Sequence, residues 1–312
     1  MESVPSKSVK KKIDIEPSKE VKKKFNIVPY IFIFPHVILF TVFLLIPTLY
    51  GLYAAFTKWN IFDPPQWVGL ANFITIFTDT KSTYYQQFWN GLKNTVLFVI
   101  ITVPFQLLIP LLLSFLLSTK PKGHGFFRSV FYLPGLFSIT TVIMSWLYVF
   151  NRSQGIFNRI FSKDIDWFGT QPFAWISIVV VTIWWVIGTN IVIYTAALSG
   201  VDSSMLESSE IDGANRLQRF FYIILPSIKF PLTYTLVIAV IMQFNIYGQP
   251  LLMTLGGPNQ STYVLIMYIR ELAFAKMIPI GGMASAMSSI LGLIIAAVSI
   301  VQIRLLRNED TR

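Results

Sequence analysis

Six stretches of this chain carry no Asp, Glu, Lys or Arg: residues 28–56, 95–117, 129–150, 173–198, 230–252 and 282–303. A helix needs about 20 apolar residues to cross the hydrocarbon of a bilayer, and an intramembrane charge is costly, so each stretch is long enough for one crossing. A soluble core helix can be uncharged over about ten residues. Six such windows leave a soluble fold without a water-facing exterior. Composition agrees, with 54% hydrophobic residues, 13% charged residues and a mean hydropathy of +0.61. The predicted fold is an all-α polytopic membrane protein with six transmembrane helices. The first window could be read as a cleaved signal sequence, since eight lysines precede it. Its uncharged run is longer than an apolar signal region and lacks a clear small-residue cleavage site, so it reads as a retained helix.

Lysine and arginine resist translocation, and their distribution sets the orientation. With the N-terminus in the cytoplasm, seventeen basic residues lie inside and eight outside. The inside set includes Lys120, Lys122 and Arg128 between helices 2 and 3, and Arg216, Arg219 and Lys229 between helices 4 and 5; Arg304, Arg307 and Arg312 follow helix 6. Both termini are therefore expected in the cytoplasm of a bacterial or archaeal cell, with the chain multi-pass in its inner membrane. The net charge of +10 follows from this bias and from a basic tail at 1–24, which suits lipid headgroups better than nucleic acid. That tail has few apolar residues to fold around and is expected to be disordered or interfacial.

Several chemistries are absent. No cysteine is present, which excludes disulfide and thiol chemistry. His36 lies within the first window and His124 in a cytoplasmic loop, so no cluster has metal-ligand spacing. No G-x-x-x-x-G-K-[ST] phosphate loop occurs, so any ATP and its Mg are expected on another subunit and no cofactor on this chain. No helix carries the Asp or Glu that ion-coupled carriers use. Energy comes from a partner, or the chain is a passive pore.

The loop at 200–229 separates these options. It reads Glu207-Ser208-Ser209-Glu210-Ile211-Asp212-Gly213-Ala214, then Phe220, Ile223, Leu225 and Pro226. Ser204 to Glu207 has capping-box spacing for one short helix, Gly213 can end it, and Asn215 with Gln218 can cap a second. Two short helices joined at Gly-Ala make a knob that seats in a groove. The segment resembles, position for position, the cytoplasmic EAA loop of membrane permeases of binding-protein-dependent ABC importers, with serines 208 and 209 in place of two alanines. Phe244-Asn245 followed by Thr254-Leu255-Gly256-Gly257-Pro258 is similar to the carbohydrate-uptake branch, as are the segments at 69–73, 127–134 and 282–286. The chain lacks the extra N-terminal helices and inserted outer domain of the maltose-type permease.

The resemblance implies a type I ABC importer permease fold for 25–312 and a translocation role coupled to two partner ATPases. It also implies a homologous second permease subunit and an extracytoplasmic sugar-binding protein. By resemblance Glu207, Asp212, Gly213, Ala214 and Phe220 form the ATPase-coupling surface, with Glu207 paired to a basic group in the ATPase groove. Substrate-lining candidates are Trp184, Trp185, Thr189 and Asn190 on helix 4, with Gln243, Phe244, Asn245 and Tyr247 on helix 5. Aromatic faces suit sugar rings and amides suit their hydroxyls; packing between helices is the competing role for each. A di- or oligosaccharide is the expected cargo, with glycerol phosphate or a polyol as the alternative. An uncoupled channel or scaffold is the reading from a different class.

Overall fold

The computed structural model describes residues 27–307; the basic tail at 1–24 and Arg312 lie outside the described residues. The chain divides into two units, Met1–Thr48 and Leu49–Arg312. In the first, α1 (Val28–Phe40) runs into a wide π turn (Thr41–Leu45). Phe32, Phe34, Leu39 and Phe43 are all exposed, so the helix presents apolar side chains all round, a surface suited to lipid. Thr48 satisfies its hydroxyl within the helix by donating to the Leu44 carbonyl at 2.7 Å.

From α2 (Ile46–Ala54) the chain turns through β1 (Thr57–Lys58) and β2 (Gln66–Trp67), a two-residue antiparallel pair in an otherwise helical chain. After α3 (Ala71–Thr78) comes α4 (Thr83–Ser118), which Ser82 caps by accepting the Tyr84 N–H. Its 36 residues reach about 54 Å, longer than the hydrocarbon is thick. Then follow α5 (His124–Tyr132), a 3₁₀ turn (Leu133–Leu136), α6 (Ile139–Val149), α7 (Ile156–Phe161) and α8 (Phe173–Ser199). The loop region holds α9 (Ser203–Ile211), α10 (Arg216–Arg219), a π turn (Phe220–Ile224) and α11 (Leu225–Ser227). The chain closes with α12 (Lys229–Phe244), α13 (Gly248–Thr254), α14 (Leu265–Arg270), a π turn (Glu271–Ala275) and α15 (Gly281–Arg307).

Among the described residues, four helices are unbroken and long enough to cross a membrane: Tyr30–Ala54, Thr83–Ser118, Phe173–Ser199 and Gly281–Arg304. Two further spans are bent pairs, and counting each as one gives six. The third window, expected as one helix over 129–150, is broken instead: His124–Leu136 meets Ile139–Val149 at 106°. Pro134 removes a helical N–H, Phe137 and Ser138 are extended (ψ 149° and 147°), and Ser138 restarts the helix by accepting the Thr141 N–H at 3.3 Å. The fifth window, expected over 230–252, stops early at Phe244. Asn245 turns its side-chain amide onto the Ile241 carbonyl at 2.7 Å, taking the acceptor that its own backbone N–H would use in a continuing helix.

Helices in lipid gain no hydrophobic advantage from meeting one another, so close packing and hydrogen bonds hold the bundle together. α4 and α8 form its central pair: Phe98 stacks on Trp175 at 5.7 Å, and Ser114 donates to the Ile191 carbonyl at 3.2 Å. α5 can lie against α8 because residue 188 is glycine; a methyl there would stand 2.5 Å from the Phe131 carbonyl oxygen and the Tyr132 Cα. One buried cluster joins α4, α12, α14 and α15 through Phe88, Val103, Ala239, Leu265 and Met287. Another carries Leu111 and Tyr194 toward Phe220 and Ile228 of the 200–229 region.

Candidate functional site

A cavity of about 510 Å³ opens where the broken helix at α6 faces α8, α12 and α13. Four predicted residues line it: Trp185, Gln243, Asn245 and Tyr247. Their presentation follows from the interruptions just described. Trp185 donates its indole N–H to the Phe137 carbonyl at 3.1 Å, so the extended link between α5 and α6 sets the ring's orientation. Gln243 is buried and donates to the Gln106 side-chain oxygen at 2.6 Å, which ties the α12 wall to α4. Tyr247 follows the end of α12, and the Arg270 guanidinium lies over its ring, 5.6 Å from the centroid.

The other four predicted residues do not line the cavity. Trp184 packs edge-on against Trp146 at 5.5 Å, Thr189 is exposed, and Phe244 is buried among the α4–α15 cluster. Asn190 is buried and donates to the Gln106 backbone carbonyl at 3.0 Å. Lining residues outside the sequence reading include Ile139, Thr140 and Gln249. The signals for them were the Ser138 helix cap after Pro134-Gly135 and the Gly248-Gln249-Pro250 punctuation.

A polar clamp holds the segment that follows α13. Asn94 donates to the carbonyls of Gln260 and Tyr263 at 2.9 and 3.0 Å, and Thr262 donates to the Gly257 carbonyl at 2.7 Å. The Tyr263 hydroxyl donates to Glu271 at 2.7 Å. Burial first, and then the Glu271 carboxylate, push that phenol above its ordinary range, so it remains a donor. Wide aromatic surface, amides and the absence of acidic or basic side chains make the cavity wall suited to a polyhydroxylated ligand.

The second region is the knob between α8 and α12. Its first helix is capped by Asp202, which accepts the Ser204 N–H at 2.9 Å; this corrects the expected box from Ser204 to Glu207. That N–H, joined by the Ser204 side chain, holds the Asp202 carboxyl below its usual range. The helix ends in a Schellman turn: Gly213 adopts φ +81°, its N–H reaches the Glu210 carbonyl at 3.1 Å, and the Ala214 N–H reaches that of Ser209 at 2.9 Å. The box expected at Asn215 and Gln218 is present, with reciprocal bonds of 2.9 and 2.8 Å. Arg219 bridges the two short helices through Glu210 at 2.9 Å. Phe220 is buried edge-on against Phe115 of α4 at 4.9 Å, anchoring the knob to the bundle. Glu207 and Asp212 are exposed, and neither has an ion-pair partner among the described residues. A concavity of about 310 Å³ lined by Asp212, Gly213, Ala214, Arg219 and Tyr222 lies at the turn.

Known proteins are similar to this chain in sequence and in fold. The chain is 31% identical over 287 residues to the "Probable starch degradation products transport system permease protein AmyD" of Thermoanaerobacterium thermosulfurigenes, covering 90% of this chain and 94% of that one. It is 29% identical over 288 residues to the arabinooligosaccharides transport system permease protein AraP of Halalkalibacterium halodurans, covering 89% and 87%. A chain in the crystal structure of a bacterial alginate ABC transporter, in complex with alginate pentasaccharide-bound periplasmic protein, has the same fold. Its TM-score is 0.73 at 24% identity, over 89% of this chain and 92% of that one. The model of the family described as binding-protein-dependent transport system inner membrane component matches residues 71–310. The protein belongs to that family of inner membrane transport components.

Proposed function

We propose that this permease is the translocation subunit of an ABC importer for a sugar, specifically a di- or oligosaccharide. One observation carries the reading: a cavity with Trp185, Tyr247, Gln243 and Asn245 on its walls is built at helix breaks, with a separately capped knob at 203–219 in the same chain. Discontinuous helices are where transporters expose polar backbone and amides to cargo. Relatives named for starch degradation products and arabinooligosaccharides support the class of cargo.

In this reading the chain itself makes and breaks no bonds. A homologous permease completes the path, two ATPases bind ATP and Mg, and an extracytoplasmic binding protein delivers the sugar. The periplasmic protein in the alginate complex supports that last partner. Both termini and the knob face the cytoplasm, where Glu207 and Asp212 meet the ATPases and Phe220 passes their motion to α4 through Phe115.

The test is sugar-dependent ATPase activity of the complete assembly in proteoliposomes, with its binding protein and a panel of mono-, di- and oligosaccharides and glycerol phosphate. Stimulation by a saccharide is expected. Stimulation by glycerol phosphate alone would overturn the sugar assignment, and a permease that purifies without ATPases and conducts solute without ATP would overturn the class.

A further inference from the structure

The cavity is lined in part by residues whose hydrogen-bond donors have no acceptor among the described residues. α6 begins there: Ser138 satisfies the Thr141 and Val142 N–H groups, at 3.3 and 3.1 Å. The N–H groups of Ile139 and Thr140, both cavity-lining residues, have no acceptor among the described residues. These two groups and the helix dipole together make a locally positive end. Gln249 lines the same cavity, is 93% buried by virtue of its 7% exposure, and makes no side-chain hydrogen bond among the described residues. The segment that carries Gln249 runs beside the start of α6, since a methyl on Gly248 would stand 3.7 Å from the Ile139 side chain.

The Gln249 amide is not among the fully buried unpartnered polar groups of the described residues, so it opens on the cavity, where a ligand can supply its partner. No Asp or Glu lines the cavity to do so from within.

We propose that the α6 N-terminus and Gln249 form a subsite for a carboxylate carried on the transported sugar, so that the cargo is an acidic, uronate-type oligosaccharide. This rests on the sugar-import reading above. A carboxylate only accepts hydrogen bonds, which matches two backbone N–H groups and the Gln249 NH₂. A neutral hydroxyl would complement them less fully and would gain little from the dipole.

The experiment compares uptake of digalacturonate with that of digalactose, its carboxyl-reduced counterpart, by the assembly in proteoliposomes with and without the binding protein. The wild type and the Gln249→Leu and Gln249→Glu variants are each measured as the ratio of acidic to neutral uptake, which cancels differences in insertion. The expected result is a ratio above one in the wild type, lowered about tenfold by Gln249→Leu through the lost hydrogen bond and further by Gln249→Glu through like-charge repulsion. Neutral uptake without acidic uptake, or a ratio that the two variants leave unchanged, would overturn the subsite while leaving sugar import standing. Uptake of neither sugar, nor of any in the wider panel, would overturn both.

Discussion

Asn190 donates its side-chain amide to the backbone carbonyl of Gln106 at 3.0 Å, and that carbonyl lacks its ordinary helical donor because the residue four positions on is Pro110. The same glutamine accepts from Gln243 through its side chain at 2.6 Å, so α4, α8 and α12 meet at one residue. A residue that the sequence suggests for cargo supplies the hydrogen bond that Pro110 leaves missing within α4.

Asn190→Leu should leave the Gln106 carbonyl buried and unpaired, at a cost of about 1–3 kcal/mol. In a Pro110→Ala background, residue 110 regains an N–H that can reach that carbonyl, and the same substitution should cost less. Thermal unfolding in nanodiscs of the two single variants and the double variant measures this; equal losses in both backgrounds would count against the repair.

The two adjacent tryptophans should behave differently. Trp185→Phe keeps a flat ring but removes the donor to Phe137, and is expected to weaken apparent affinity for the cargo several-fold while leaving the maximal rate nearer its original value. Trp184→Phe should change neither quantity, since that ring packs on Trp146 outside the cavity. Uptake kinetics that rank them the other way would relocate the path.

At Gly213 the φ of +81° sets the turn between α9 and α10. A β-branched residue is strained there by about 1–2 kcal/mol, whereas asparagine tolerates the left-handed region. Gly213→Val should lose ATPase co-purification and uptake, and Gly213→Asn should keep most of both. The Glu207→Ala variant is expected to insert normally yet fail to couple, because its exposed carboxylate has no ion-pair partner among the described residues. Full transport by Glu207→Ala would remove it from the interface.

Packing at the helix break makes a further prediction. Gly188→Val sets carbon atoms against the Phe131 carbonyl and Tyr132 backbone, which cannot withdraw as a flexible side chain would. Reduced yield and a lower unfolding temperature are expected, with Gly188→Ala intermediate; native-like stability in both would show that α5 is free to shift.

Orientation is tested with single cysteines, which the cysteine-free chain allows. A thiol probe that cannot cross the membrane should spare cysteines introduced at positions 122 and 216 in intact cells and label them in inverted vesicles. Labelling from outside would reverse the topology.

The number of crossings was legible in the chain because a charge in hydrocarbon is so unfavourable that its absence over some twenty residues is a signal by itself. The knob was legible for a similar reason: Asn215, Gln218 and Gly213 act on their own backbone within a few residues, without the rest of the fold. Which face of each helix meets the cavity was not. Trp184 and Trp185 are neighbours about 100° apart on α8, and only Trp185 lines the cavity. In a soluble helix the polar face would reveal the difference, but lipid on the outside is as apolar as the packed interior, so the residue pattern carries no such contrast. Asn190 and Gln249 have the same explanation. Each is an amide in an apolar setting, and only tertiary structure decided that one finds the carbonyl left without a helical donor by Pro110 while the other faces a cavity with no partner among the described residues.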